Sequence, residues 1–187
     1  MDTGLALIYG IDISGELIFK PIVQLAAHDR SIFVVDGENS FRSYRIARYA
    51  REMKLDSRTV LSNVRVSRAF TCYQLTELIV KLSRLNIDQC AGIVCLGLLG
   101  TFYDEDVTLA EARRLLHEAI VQLKSLAERV PVLITVRPPS VKVKDRLSLV
   151  NMLMQHVDEV RVLPSAERPS SQLQLQLNAG RIDGPHQ

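Results

Sequence analysis

Cysteine is scarce in this sequence, and none of it falls in a CxxC spacing. Cys72, Cys90 and Cys95 sit in or beside apolar runs, which argues against a disulfide framework or a zinc site and fits reduced, packed thiols in a reducing cytosol. The four histidines, His28, His117, His156 and His186, are scattered and form no HExxH pattern, so no metal is assigned. Charge of one sign is not in excess either. With 23 Lys and Arg against 21 Asp and Glu the net charge is +2, so any contact with nucleic acid would have to be a local surface. No apolar run is long enough to span a bilayer. The one early run, 4–10, follows an acidic residue and breaks at Asp12, which makes it a poor secretory signal, and a cytoplasmic protein without membrane contact is expected.

What is present is enough for one globular domain: 187 residues, 47% hydrophobic and 24% charged, can bury a substantial core. A single domain over 1–178 is expected, with 179–187 as a flexible tail. Short apolar runs of strand length, at 6–9, 31–36, 64–68, 92–96, 132–136 and 159–163, alternate with helical stretches at 21–28, 41–54, 72–85, 109–129 and 146–155. This is the pattern of βαβ units, and it predicts an α/β fold with a mostly parallel central sheet flanked by helices. The long helix carries the clearest signal. Thr108 and Glu111 form a capping-box pair, and Leu109, Ala112, Leu115, Leu116, Ala119, Leu123 and Leu126 recur at helical spacing. Segment 172–177 reads QLQLQL, an alternation suited to an antiparallel edge strand, and it predicts a C-terminal antiparallel hairpin with 159–163.

The first strand-to-helix junction has Gly10 and Gly15 at the separation of a phosphate-binding P-loop. That motif continues with a lysine for the β- and γ-phosphates and a hydroxyl for magnesium. Here the two places hold Glu16 and Leu17. Glu16 and the loop residue Asp12 would both set negative charge against a triphosphate. Two glycines at a turn are weak evidence alone.

The next segments are more specific. Phe33-Val34-Val35-Asp36-Gly37-Glu38-Asn39-Ser40-Phe41-Arg42-Ser43-Tyr44-Arg45-Ile46 resembles the "YIDTEGTFRPERI" segment of RadA-type recombinases. Leu61-Ser62-Asn63-Val64-Arg65-Val66-Ser67-Arg68-Ala69-Phe70-Thr71, in order and at the right distance, resembles their "NIYVARAFT". The chain thus resembles the ATPase core of the RecA/RadA recombinase family over about 5–163, and the resemblance implies the RecA-like P-loop fold. It also implies that Glu38 stands where the family polarises the attacking water. Gly97 stands in place of the Walker B aspartate, and Arg137 in place of the glutamine that couples nucleotide to the DNA-binding loop. The departures at Glu16, Leu17, Gly97 and Arg137 all fall where nucleotide chemistry happens, so no bound cofactor, no metal and no ATPase activity are expected, and Glu38 would be a vestige. Since the first strand begins a few residues into the sequence, no helical DNA-binding domain is expected ahead of the core.

By the same resemblance, the loops after the fourth and fifth core strands would face DNA. The first begins Asp104-Glu105-Asp106, which repels phosphate. The second is short and basic, and Arg137, Lys142, Lys144 and Arg146 are the DNA-binding candidates, suited to weak binding of single strands. Arg42, Arg45, Arg48, Arg51 and Lys54 line a helix at spacings of three or four, a solvated face that could also meet DNA or an acidic partner. The leading expectation is a noncatalytic recombinase paralogue, an accessory or scaffold in recombination and repair, acting as a homo-oligomer or with a recombinase-like partner. The alternatives are an ATPase in which Lys20 or a partner's arginine replaces the missing lysine, and a protein-interaction module without a DNA role.

Overall fold

Each apolar run in the sequence becomes a parallel strand, because the helix that follows it carries the chain back across the sheet. A computed structural model describes residues 3–28, 30–87 and 89–164. In chain order these form β1 (Gly4–Tyr9), α1 (Gly15–Ala26), β2 (Ser31–Asp36), α2 (Ser43–Glu52), α3 (Ser57–Ser62), β3 (Val64–Arg68), α4 (Cys72–Ser83), β4 (Cys90–Leu96), a 3-10 turn at Gly100–Tyr103, α5 (Leu109–Ala127), β5 (Pro131–Val136), a second 3-10 stretch at Val141–Arg146, α6 (Leu147–Met154) and β6 (Glu159–Val162). The sheet order is β3-β2-β4-β5-β1-β6, and every pairing is parallel.

The helices divide between the two faces of the sheet. Ile18, Phe19, Ile22, Val23 and Ala26 of α1 pack with Ile46, Tyr49 and Ala50 of α2 and Val60 of α3 against Ile8, Ile32, Val34, Val94 and Leu96. On the other face α4, α5 and α6 cover Leu5, Leu7, Val35, Ile93, Cys95, Val132 and Ile134. All seven residues of β4 are buried, as a central strand covered on both faces requires. The three cysteines are free and buried, and complete burial pushes the Cys95 thiol up to about 12.

Two differences from the sequence expectations have local causes. The first helix begins at Gly15 rather than at Pro21, because Ser14 caps it by accepting from the Leu17 N–H at 3.4 Å, and Pro21 is held inside the helix by the apolar face around it. Helix α3 was not expected; the Asp56 carboxylate starts it by accepting from the Arg58 and Thr59 N–H groups. β6 pairs in parallel with β1, Ala6 opposite Glu159 and Tyr9 opposite Val162; 172–177, the other strand of the expected antiparallel hairpin, lies outside the described residues. No helix among the described residues is long and apolar enough to cross a membrane.

Candidate functional site

In an open parallel sheet a ligand site forms at the carboxyl ends of the strands, where the following loops diverge. Here those ends bring together the loop after β1, the Gly37–Asn39 turn after β2, Gly97 after β4 and Arg137 after β5. The amide of Gly10 donates to Val136 O at 3.1 Å and ties the first loop to the β5 end. The amide of Gly97 donates to the buried Thr135 Oγ1 at 2.9 Å, and Gly37 N–H donates to Leu96 O at 2.9 Å.

The turn after β2 is built around Asp36, which is 1% exposed. Its carboxylate accepts from the Ser40 and Phe41 N–H groups at 2.9 and 3.0 Å and pairs with Arg68 at 3.4 Å. That arrangement holds Asn39 at φ 52 and aims Glu38 across the mouth of the site. There Glu38 meets Arg137, Nη1 to Oε2 at 2.5 Å. Arg137 also donates from Nε to Ile11 O in the first loop at 3.3 Å, while its own carbonyl accepts from the Tyr103 hydroxyl at 2.9 Å. Burial and the nearby Tyr9 hold the Tyr103 phenol above its ordinary range, so at neutral pH it is a hydroxyl donor.

The two replaced positions of the first loop are engaged elsewhere. Glu16 forms an ion pair with Lys20 one turn along α1; the lysine holds the carboxyl below its usual range, and the carboxylate holds the ammonium above its own. Leu17 is a partly buried helix residue. A side chain at Gly15 would collide with the guanidinium of Arg45, which reaches over from α2 and lies 5.5 Å from the Phe19 ring centroid. Gly97 has φ +59, and a Cβ there would run into the side chain of Glu38.

These residues do not fit a magnesium triphosphate. The lysine position carries an acid already paired, the Walker B position has no room for a carboxylate, and the acid that would orient water is neutralised by Arg137. Among the described residues no group of three or more His, Cys, Asp or Glu could hold a metal ion.

The basic loop is not an open cationic surface. Arg137 is committed to Glu38 and Ile11, and Arg146 is buried at 4% exposure. The Arg146 Nη2 donates to the carbonyls of Asp104, at 3.0 Å, and Val107; its Nε and Nη1 find no hydrogen-bond acceptor. Arg146 therefore clamps the loop after β4 to the loop after β5 and presents no charge outward. Lys142 and Lys144 are exposed, so the structure separates the four sequence candidates into two available lysines and two engaged arginines. Arg45, Asp36 and Tyr103 escaped the sequence reading as site residues. Arg45 was visible only as one member of a helical stripe, and nothing in its spacing points to Gly15.

The Rad51 family model matches residues 20–151, a span that runs from α1 into α6 and includes β2, β3, β4 and β5. No curated protein matches the chain.

Proposed function

The chain belongs to the Rad51 family, and on that premise we propose that it is a noncatalytic paralogue that serves DNA recombination or repair through its surfaces, as an accessory or scaffold. The observation that supports this most is the Glu38–Arg137 ion pair at 2.5 Å. It joins two positions that the family uses on nucleotide, and Arg137 is further tied to the loop that would cradle phosphate. An ATPase using Lys20 as a substitute would have to release that ammonium from Glu16.

Thermal melting with saturating ATP and magnesium tests the reading. A ligand at about 100 times its Kd adds roughly 2.7 kcal/mol, which for a chain of this length is a rise of about 5–11 °C. The expected result is a shift below about 1 °C. A rise of several degrees would overturn the noncatalytic reading.

Partner contact has an apt surface in β3. It is an edge strand whose residues are mostly exposed, so its outer N–H and C=O groups can accept a strand from another chain. Beside it Phe33, Val35, Ser67, Leu78, Leu82 and Leu85 line a recess of about 110 Å³ that would take an apolar side chain. The occupant we assign is a second copy or a recombinase-like partner. Sedimentation velocity across a concentration series should show association that Val66→Lys weakens. A parent that stays monomeric and recovers no recombinase-like protein from its native extract counts against it.

A further inference from the structure

The outward face of α2 carries a row of arginines around one exposed ring. Tyr44 is 61% exposed. Arg48 and Arg51 follow it at four and seven residues, so the three share the side of the helix opposite the buried Ile46, Tyr49 and Ala50. Arg45 stands on the flank, its guanidinium 5.5 Å from the Phe19 ring centroid, and Arg45 foremost, with Arg42 and Arg48, holds the Tyr44 phenol below its ordinary range.

Few acids offset these charges. Arg48 lies 3.4 Å from Glu52, and Glu16 is taken by Lys20. Arg42 donates only to the carbonyls of Asn39 and Phe41, at 2.7 and 2.9 Å. Four of the 23 Lys and Arg side chains thus lie on this one helix and its N-cap. Beside the ring is a shallow depression lined by Asn39, Phe41, Arg42, Tyr44, Val66 and Arg68.

We propose that this face, with Arg42, Arg45, Arg48 and Arg51 around Tyr44, is a binding site for single-stranded nucleic acid. The planar guanidinium fork matches phosphate oxygens in pairs. An exposed ring beside a depression offers a base a stacking surface while arginines follow the backbone. An acidic protein segment would use the charges but has no need of the ring, which is why nucleic acid is the occupant assigned. Apart from Arg45, whose guanidinium also covers Gly15, the site lies away from the nucleotide end of the sheet, and Arg48, Arg51 and Tyr44, on which the test rests, take no part in that end.

The test is fluorescence anisotropy of a labelled oligo-dT with the whole chain, and of a labelled polyglutamate peptide as the competing ligand. The parent should bind the oligonucleotide at low salt, with a slope of about −3 or shallower in log affinity against log salt, since up to four phosphates are neutralised at about −0.7 each. Arg48→Glu with Arg51→Glu should weaken binding more than about tenfold and make the slope shallower by about 1.4. Tyr44→Ala should cost about five- to a hundred-and-fiftyfold, the range of one base stacked on an aromatic ring, whereas Tyr44→Phe keeps the affinity. Lys142→Ala with Lys144→Ala should stay within about twofold, because those lysines lie on another loop. All the substituted side chains are exposed, and an unchanged melting temperature checks that each variant folds.

Three results would overturn the proposal: no oligonucleotide binding by the parent at low salt, a double charge reversal that binds like the parent, or tighter binding of polyglutamate with no dependence on Tyr44. The last would hand the face to an acidic protein partner. None of the three bears on the noncatalytic reading, which the nucleotide melt decides separately.

Discussion

Gly97→Asp, the substitution that writes the missing acid back at the end of β4, lowers the melting temperature by about 6–16 °C and restores no magnesium binding. Two separate costs add at this position. The backbone sits at φ +59, where a residue other than glycine is strained by about 1–2 kcal/mol. A Cβ would also collide with the Glu38 side chain, so Glu38 must turn away from Arg137 and leave an arginine that also anchors the first loop through Ile11. The new carboxylate would then face Glu38 as a like charge. Together these amount to about 3–4 kcal/mol, a size that calls for a named steric or buried-charge cause, and each kcal/mol moves a chain of this length by about 2–4 °C. Thermal unfolding followed by circular dichroism measures the shift. Gly97→Ala paired with Glu38→Ala separates the causes, since the double variant removes the collision and keeps the backbone strain. If Gly97→Asp melts within about 2 °C of the parent, the close approach of Glu38 is not a real constraint and the case for a closed site weakens with it.

Asp36→Ala is expected to cost about 3–4 kcal/mol, because a buried carboxylate that organises a turn cannot be removed without orphaning its donors. The Ser40 and Phe41 amides at 2.9 and 3.0 Å lose their acceptor, and Arg68 loses its ion-pair partner. Hydrogen bonds to a charged group are worth about 1.5–3 kcal/mol each. The arginine adds less, since its side chain is 44% exposed and screened by water, so Arg68→Ala should cost no more than about 1 kcal/mol. Urea denaturation should show the midpoint falling with an unchanged slope. Asp36→Asn keeps an oxygen for one amide and should lose about half as much as alanine. Equal losses for the two would place the contribution in the space filled rather than in the hydrogen bonds. The same turn carries Glu38 and leads into α2, so its loosening should also weaken whatever the Tyr44 face binds.

The sequence by itself determined the class of fold and most of its elements, and the reason is that those signals are local. Val34, Val94 and Ile134 read as buried strands from their own neighbours, and α5 announces itself through Thr108 and the spacing of its leucines, before any partner is known. The segments around Asp36 and Ala69 were enough to place the chain with recombinases. Local signals misled where context outweighed them. Pro21 looked like a helix start until the Ser14 cap moved the start six residues back, and α3 carried no apolar periodicity of its own and is set by the Asp56 cap. Only the tertiary structure decided which side chains meet at the carboxyl ends of the strands. Glu38 and Arg137 are far apart in the chain, as are Gly15 and Arg45, or Arg146 and the carbonyl of Asp104, and each pair meets because β2, β4, β5 and β1 lie side by side in an order unlike their sequence order. A charge read from sequence carries no statement of what it faces. In this fold Arg137 and Arg146, which read as surface cations, are bound to other loops, while Arg48 and Arg51 are left outward beside Tyr44 because the opposite side of their helix is apolar and buried.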